Sequence, residues 1–291
     1  MPSIFSRRKT CRLCNKDQLT LVLPINASPI ADAFVFASQL TQSQPEVPLD
    51  LYQCRACGHV QNLDIVNPDI LFRDYIYTTS SSPGLVAHFR SYFDVIKELA
   101  IAPGSLVVEI GSNDGTLLKL FQEANMRVIG IDPARDIAKQ ASDAGVPTIP
   151  EYFGPVLSAH IQKEYGQAKL IVANNVYAHA DQLGELTDSI ATLLDADGVF
   201  VFEVSYLMEI IDKFLFDTVY HEHLSYHSVK PFVQFFAAHG LHLFDVQTIS
   251  SKGGSMRGFV QRAGGPQTER PVVKQMILEE DRRGLHSLQI F

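Results

Sequence analysis

The sequence predicts an α/β protein in which a doubly wound, mostly parallel sheet follows a small β-rich metal-binding module. Three observations predict this architecture. The four cysteines of the chain form two Cys-x-x-Cys pairs near its N-terminus. Strand-like and helix-like runs alternate from residue 106 onward, which is typical of parallel strands joined by helices. A glycine-containing loop, 109–115, follows the first of these strands, where such sheets bind ligands.

The two cysteine pairs predict a structural zinc site. Cys11 with Cys14, and Cys54 with Cys57, each place two thiolates within reach of one ion. Together they complete a tetrahedral four-thiolate shell that leaves no position for water. Two disulfides are the alternative, but no secretory segment indicates an oxidising compartment. His59 follows the second pair and is interpreted as a packing or surface histidine rather than a substitute ligand.

The composition indicates a globular protein that acts on a small molecule. The chain has 291 residues, of which 46% are hydrophobic, and a formal net charge of −8. Its basic run is limited to Arg7-Arg8-Lys9, so no nucleic-acid partner is expected. The N-terminus lacks the apolar stretch of a signal peptide, and no apolar run reaches the length of a membrane span. We therefore expect a cytoplasmic protein without a membrane partner, of open oligomeric state.

The chain divides into four parts. Residues 1–70 contain the cysteines and several prolines, and they are predicted to form the zinc-binding domain. Residues 71–100 form a connecting helical region, and residues 101–265 form the main α/β domain. Residues 266–291 are interpreted as a C-terminal linker or as the truncated start of a further domain. In the connecting region, the apolar residues that recur at helical spacing and should face a core are Phe89, Tyr92, Phe93, Ile96 and Leu99.

Strands and helices alternate through the main domain. The predicted strands cover 106–110, 127–131, 170–173, 199–204, 241–249 and 256–262. The predicted helices begin at 116 and cover 135–144, 183–194 and 229–239. The last two strands flank Gly253-Gly254 and predict an antiparallel pair. Such a terminal pair fits the Rossmann-like, seven-stranded sheet of class I methyltransferases better than a dinucleotide-binding sheet.

The loop Glu109-Ile-Gly-Ser-Asn-Asp-Gly115 predicts a site for S-adenosylmethionine. Gly111 permits close approach of the backbone to a ligand, and Gly115 opens a helix whose N-terminal amides can meet a carboxylate. Asp132 ends the next strand, where a carboxylate can accept ribose hydroxyls. A nicotinamide nucleotide is the alternative, which the missing Gly-x-Gly-x-x-Gly spacing disfavours. The predicted donor-binding residues are Glu109, Gly111, Ser112, Asn113, Gly115, Asp132, Asn174 and Asn175.

Asn174 and Asn175 are the least specific members of this set. They follow the strand 170–173, at the edge where open α/β sheets bind ligands. Asparagine also forms turns through its own side chain, so a structural role is an equal alternative for each of them. His179 lies just beyond, and a single histidine there is more often a packing residue unless a second functional group joins it.

Histidines, tyrosines and a glutamate cluster in the segment Tyr220-His-Glu-His-Leu-Ser-Tyr-His227. This density is difficult to explain as core and predicts acid/base chemistry. A histidine that titrates with a pKa near neutrality can remove a proton from the carbon next to a carbonyl. Neighbouring hydrogen-bond donors can stabilise the resulting enolate. A second metal at His221-x-His223 lacks partner ligands at the usual spacing. A helix would place Tyr220 beside His223, an extended segment would place it beside Glu222, and the sequence leaves both open.

In this order the motifs resemble those of the nucleotide-sugar C-methyltransferases, especially the carbon-3 methyltransferases of dTDP-linked 4-keto-deoxysugars. The resemblance covers nearly the whole chain. It rests on the two cysteine pairs, Tyr75-Ile-Tyr77 with Ser80-Ser81, and the segments 109–115, 174–179, 220–226 and 253–257. It implies a zinc module with four cysteine ligands, S-adenosylmethionine as methyl donor, and methylation of the carbon next to a ketone of a nucleotide sugar.

The resemblance also implies roles for individual residues. His223 becomes the base that removes the carbon-3 proton, with Tyr220, Glu222, His179 and Tyr77 as its catalytic companions. Arg257 is implied to meet a phosphate. Members of this family usually continue into a further C-terminal α/β domain that this sequence lacks, so we expect a fragment or a reduced acceptor site. An O- or N-methyltransferase and a non-catalytic donor-binding subunit are the other functions that stay open.

Overall fold

Short strands surround the four cysteines at the N-terminal end of the chain. The structure, a computed structural model, describes residues 4–291. The strands of this front module are β1 (Phe5–Arg7), β2 (Leu19–Leu23), β3 (Ser28–Pro29), β4 (Glu46–Val47), β5 (Leu51–Cys54), β6 (Val60–Asn62) and β7 (Asp64–Val66). β2, β5 and β6 are antiparallel neighbours in one sheet, and β1 pairs with β7. The two cysteine pairs lie beside β2, β5 and β6.

Two helices connect the front module to the main domain. α1 (Pro68–Phe72) begins where Asn67 accepts the Asp69 amide proton, with a proline in the first turn. α2 (Pro83–Lys97) buries Phe89, Tyr92 and Ile96 against the main sheet. Phe93 and Leu99 are half-buried against the same cluster, so the predicted apolar face of this region is confirmed.

The main domain alternates strands and helices as the sequence predicts. Its elements are β8 (Leu106–Ile110), α3 (Thr116–Glu123), β9 (Arg127–Ile131), α4 (Arg135–Asp143), β10 (Thr148–Ile149), α5 (Pro155–Tyr165), β11 (Ala168–Asn174), α6 (Leu183–Leu193), β12 (Leu194–Ser205), α7 (Leu207–Asp212), β13 (Ser225–Tyr226), α8 (Val229–Ala238), β14 (Leu241–Ile249), β15 (Ser255–Arg262) and α9 (Pro271–Arg282). The strand order of the main sheet is β10-β9-β8-β11-β12-β15-β14, and β15 runs antiparallel to both of its neighbours. The predicted seven-stranded sheet with a terminal antiparallel pair is therefore confirmed.

Both faces of the main sheet are covered. On one face, Val107, Val172 and Val201 share a buried cluster with side chains of α2 and α3. On the other face, Ile171 and Phe200 share a cluster with side chains of α6 and α8. Successive residues of a strand point to opposite faces, so a strand buried on both faces is apolar throughout. Burial of each large apolar side chain contributes about 1.5–3 kcal/mol.

Backbone pairing joins the front module to the main domain. β13 pairs with β6 in antiparallel register, Ser225 opposite Gln61 and Tyr226 opposite Val60, and so completes the sheet of the front module. The buried Arg12 guanidinium donates to the backbone carbonyls of Asn62 and Leu224 across the same junction. The segment that precedes β13 is thereby fixed where the two parts of the chain meet.

The C-terminal segment forms a helix that packs on the main domain. α9 contacts α8 and β14, and Val273 and Glu280 are buried in it. Beyond the helix, the carbonyl of the buried Leu285 accepts a hydrogen bond from Gln53 Nε2 of the front module at 3.1 Å. In residues 4–291 no helix combines the length and the apolar character that crossing a membrane requires.

Candidate active site

The four cysteine thiols converge on one point. All four Sγ atoms lie within 4.8 Å of one another, with 3.6 Å between Cys11 and Cys57 and 3.6 Å between Cys14 and Cys54. Zn–S bonds of about 2.3 Å in tetrahedral geometry separate sulfurs by about 3.8 Å. All four cysteines are free thiols, as a zinc shell requires. The donor set therefore fits a structural zinc ion.

His59 lies away from this shell. Its buried ring stacks on His227 with 5.3 Å between ring centroids, and its Nε2 lies 3.2 Å from Ser225 Oγ. The histidine therefore packs at the junction between the front module and β13, as the sequence analysis interprets it.

A cavity of about 530 Å³ opens at the carboxyl ends of β8, β9 and β11. The connecting segment between α1 and α2 lines it with Tyr75 and Tyr77, and β7 of the front module lines it with Ile65 and Val66. The predicted donor-binding residues that line it are Glu109, Gly111, Ser112, Asn113, Asp132, Asn174 and Asn175. Gly115 lies outside the lining, at the start of α3.

The donor loop bends tightly around its glycines. Gly111 has φ of +71°, and a Cβ atom there would lie 2.7 Å from Val176 Cγ2. Gly115 has φ of +74°, and a Cβ atom there would lie 2.9 Å from Val146 Cγ1. Left-handed backbone and close contact both favour glycine at these two positions. These two requirements explain why the motif has glycine at both 111 and 115.

The turn is tied to the end of β9 through Asp132. The Asn113 amide donates to Asp132 Oδ2 at 2.8 Å, and the Ala134 amide donates to Oδ1 at 2.9 Å. Burial raises the pKa of Asp132, while these two amides oppose the rise. A carboxylate oxygen has two lone pairs, so each one keeps acceptor capacity for a ligand hydroxyl.

Several polar atoms beside this loop are buried without a hydrogen-bond partner among the described residues. They are Glu109 Oε2, Ser112 Oγ and both amide atoms of Asn174. Burial raises the pKa of Glu109 well above its usual value, and the nearby Asp132 raises it further. Buried polar groups are normally paired, so these atoms are available to a polar ligand. S-adenosylmethionine, with its ammonium, carboxylate and ribose hydroxyls, fits this set of donors and acceptors.

The segment 220–224 forms a turn, which decides between the two geometries left open by the sequence. The His223 amide donates to the Tyr220 carbonyl at 3.0 Å, and the two rings lie 4.2 Å apart between centroids. His223 Nδ1 lies 2.7 Å from the Thr218 carbonyl oxygen. Because that oxygen only accepts, Nδ1 carries the proton and Nε2 presents a lone pair. Burial lowers the pKa of His223 to about 4, so the ring is neutral at pH 7.

A second histidine and a glutamate adjoin this turn. The His179 ring lies 5.1 Å from that of His223 and stacks on Phe72 at 5.6 Å. Its Nδ1 lies 3.9 Å from Glu222 Oε2, and its buried Nε2 has no partner among residues 4–291. Burial lowers the pKa of His179 well below its usual value, and it raises the pKa of Glu222 to about 7.

The cavity reaches some of the predicted catalytic residues directly and others through a neighbour. His179, Glu222 and Tyr77 line it. His223 and Tyr220 lie outside the lining, and the His223 ring lies 5.1 Å from the ring of His179 between centroids. The structure thus brings four of the five predicted side chains, all but Tyr77, into one contiguous cluster next to the cavity, and it places Tyr77 in the cavity wall.

Sequence reasoning missed other lining residues. His221 and Lys252 line the cavity, and so does Tyr75. His221 Nδ1 accepts the Ala31 amide proton at 3.2 Å, which ties the front module to this turn. His221 and Tyr75 belong to motifs that the sequence analysis singles out, so their proximity could have been inferred. Lys252 carries no such signal, since most isolated lysines lie on the surface.

Arg257 is engaged within the protein and does not line the cavity. Its buried guanidinium donates to Glu203 Oε1 from Nε at 2.7 Å and lies 4.3 Å from the centroid of the Tyr92 ring. The implied contact of this arginine with a phosphate is therefore corrected: its charge is already compensated by a buried carboxylate on the neighbouring strand.

Fold, donor cavity and cysteine shell together define a methyltransferase preceded by a zinc-binding domain. Residues 11–72 match a family model described as a zinc binding domain, and residues 86–246 match one described as a methyltransferase domain. The chain belongs to the family of S-adenosylmethionine-dependent methyltransferases.

One comparison with a relative supports this assignment, and one with a solved structure supports the fold. The chain is 35% identical over 276 residues to the C-methyltransferase NovU of Streptomyces niveus, which covers 94% of this chain and 66% of that relative. The solved structure of the PH0226 protein from Pyrococcus horikoshii OT3 matches 64% of this chain and 94% of its own, with 11% identity and a TM-score of 0.52. The second likeness concerns the fold alone.

Proposed function

We propose that this chain is a C-methyltransferase that methylates carbon 3 of a dTDP-linked 4-keto-deoxysugar, next to the ketone. The observation that carries the proposal is the pair formed by His223 and His179, of which His179 lines the donor cavity. Methylation of carbon needs a base, whereas an oxygen or nitrogen acceptor already has a lone pair. The likeness to a relative named C-methyltransferase supports the same reaction.

His223 is proposed to remove the carbon-3 proton. Its Nδ1–H donates to the Thr218 carbonyl, which fixes the ring and leaves the lone pair of Nε2 to accept a proton. The electron pair of the broken C–H bond forms the enolate double bond, and the ketone oxygen takes the negative charge. When bound, S-adenosylmethionine supplies the methyl group, which leaves its sulfonium and bonds to this carbon.

The neighbouring side chains are proposed to orient the base and the substrate. His179 lines the cavity in contact with the His223 ring, and its unpartnered Nε2 can donate to or accept from the sugar. Tyr220 packs against His223, with 4.2 Å between the ring centroids. Glu222 and Tyr77 line the same cavity. The connecting segment between α1 and α2 thus contributes to the acceptor side of the site.

Proton exchange at carbon 3 tests this proposal without any methyl transfer. In deuterated water and without donor, we expect the wild-type protein to exchange this proton of the 4-keto sugar with solvent. His223→Gln should slow the exchange by about 10²–10⁴-fold, the range that a general base contributes. NMR of the sugar measures the rate, and calorimetry checks that S-adenosylmethionine still binds.

A matched control is His160→Gln, since His160 is exposed on α5, far from the cavity lining. This variant should exchange the proton at the wild-type rate. Undiminished exchange in His223→Gln would contradict the role of His223. Methyl transfer to an oxygen or nitrogen of the acceptor would contradict C-methylation itself.

A further inference from the structure

One cation faces a cavity that is otherwise acidic. Lys252 is the single lysine or arginine among the lining residues of the described chain. The acidic lining residues are Glu109, Asp132, Glu151, Asp181, Glu185 and Glu222. Other cations of this region are paired: Arg257 with Glu203, Arg12 with Asp181, and Arg73 with Glu151. A negative charge that develops in the cavity therefore has Lys252 as its basic neighbour.

The backbone holds Lys252 in an unusual conformation. Its φ and ψ are 51° and 41°, in the left-handed region that side chains with a Cβ atom rarely adopt. The surrounding loop is fixed from several sides: Lys213 Nζ donates to the Gly253 carbonyl at 2.7 Å, and the Tyr206 amide donates to the Gly254 carbonyl at 3.2 Å. Strain that the surroundings enforce in this way is typical of functional positions.

The ammonium of Lys252 has no hydrogen bond or ion pair within residues 4–291. It nevertheless lies within electrostatic range of the base cluster, since its charge lowers the pKa of His179, His223 and Glu222. Lys252 keeps solvent-exposed surface where it lines the cavity, while the surrounding protein lowers the pKa of its own ammonium by desolvation. An unpaired cation beside the base indicates an anionic group of the substrate.

We infer that Lys252 Nζ donates a hydrogen bond to the ketone oxygen of the acceptor and stabilises the enolate formed there. This inference rests on the proposed function. As the C–H bond breaks, its proton goes to His223 Nε2, its electron pair forms the carbon–carbon double bond, and the carbonyl π pair moves to the oxygen. Lys252 stays protonated throughout. When the carbon bonds to the methyl group, the carbonyl re-forms.

The single charge of the Lys252 ammonium matches an enolate oxygen better than it matches a diphosphate. An enolate concentrates one charge on one oxygen, and a preorganised donor at that oxygen lowers the barrier. A diphosphate carries at least two charges, and the cavity lining offers it a single cationic side chain.

The test compares Lys252→Gly and Lys252→Met with the wild-type protein. Glycine adopts the left-handed conformation without strain, so Lys252→Gly keeps the loop folded. Both variants should slow exchange of the carbon-3 proton by about 10²–10³-fold, the effect of losing one oxyanion donor. The dissociation constant of S-adenosylmethionine and the KM of the sugar should change less than threefold. Added butylammonium should restore part of the exchange rate in Lys252→Gly.

Lys139→Met serves as the control, because Lys139 pairs with Asp143 on the surface of α4. It should behave as the wild-type protein. Absence of exchange in the wild-type protein overturns the proposed function and this inference together. Wild-type exchange that persists in both Lys252 variants overturns the role of Lys252 alone. A raised KM with unchanged exchange at saturating sugar also overturns it, since the lysine would then bind the nucleotide phosphates.

Discussion

The carboxyl group of Glu222 illustrates how a single residue of the site affects stability. Its side chain is buried, 3.9 Å from His179 Nδ1, and burial raises its pKa to about 7. An unfolded chain releases this proton near pH 4.5. The native protein therefore binds more protons than the unfolded chain between these values, so its stability falls as the pH rises from about 4.5 to 7. Above pH 7 the buried carboxylate is ionised and continues to lower the free energy of unfolding.

Glu222→Gln should therefore stabilise the ligand-free protein at alkaline pH. Glutamine keeps the size of the side chain and removes the buried charge. We expect the free energy of unfolding to rise by about 1–3 kcal/mol at pH 8.5, with a much smaller change at pH 5, because one pKa unit corresponds to about 1.4 kcal/mol. Thermal denaturation at the two pH values measures it.

The control for this measurement is Glu164→Gln, since Glu164 is exposed at the end of α5. It should shift the melting temperature little and equally at both pH values. Equal melting temperatures of Glu222→Gln and the wild-type protein at pH 8.5 would contradict a buried, ionised Glu222.

The placement of individual side chains follows from the sequence only where a strand end determines it. Glu109, Asp132 and Asn174 each end a parallel strand, and the carboxyl ends of such strands meet at one edge of the sheet. The side chains of segment 220–227 depend on a turn and on pairing with the distant β6, which no local pattern records. Lys252 reaches the cavity through left-handed backbone that its residue type does not suggest.

At the scale of elements, α9 supplies a cap for α8. Glu280 of α9 is fully buried and accepts the amide protons of Val229 at 2.7 Å and Lys230 at 3.0 Å, the first two residues of α8. Its Oε1 also accepts the Tyr206 hydroxyl proton at 2.9 Å. A carboxylate at a helix N-terminus satisfies free amides and complements the helix dipole. Buried hydrogen bonds thus hold α9 against the main domain.

Glu280→Ala should destabilise the protein by about 2–4 kcal/mol, because it leaves two helix amides and a hydroxyl buried without partners. Glu279→Ala, which removes an exposed pair with Arg282, should leave the denaturation midpoint nearly unchanged. Chemical denaturation of both variants measures the difference. Equal midpoints would contradict the capping role of Glu280.

The sequence predicts long elements better than short ones. β8 and β11 are apolar runs buried along most of their length, and α2 shows helical periodicity, so their existence follows from pattern. β10 has only two residues, and α5 buries only Ser158 and Ile161. Neither element presents a clear apolar pattern. The sequence analysis therefore predicts no element between residues 144 and 170, where both lie.

At the scale of the whole molecule, the zinc-binding front module is part of the site. It contributes Ile65 and Val66 of β7 to the cavity, and the pairing of β6 with β13 holds the segment that contains His223. The cysteine shell fixes β5 and the turn at Cys11 beside that pairing. Loss of the metal is therefore expected to disturb both the front module and the base cluster.

Removal of zinc should lower the melting temperature by more than about 5 °C, because a structural zinc site contributes its binding free energy to folding. It should also slow exchange of the carbon-3 proton. Elemental analysis should find one zinc ion per chain, and Cys54→Ser should reproduce the loss. A chelator-treated protein that holds no zinc and melts as before would contradict a structural role of the metal.

The central claim is that the methyl group goes to carbon. Its most direct test is the reaction of the zinc-loaded protein with S-adenosylmethionine labelled with ¹³C in the methyl group and a dTDP-4-keto-deoxysugar, followed by heteronuclear NMR of the product. We predict a correlation from the new methyl protons to the adjacent ketone carbon, which requires a carbon-bound methyl at position 3. A methyl group bonded to oxygen or nitrogen would contradict the account.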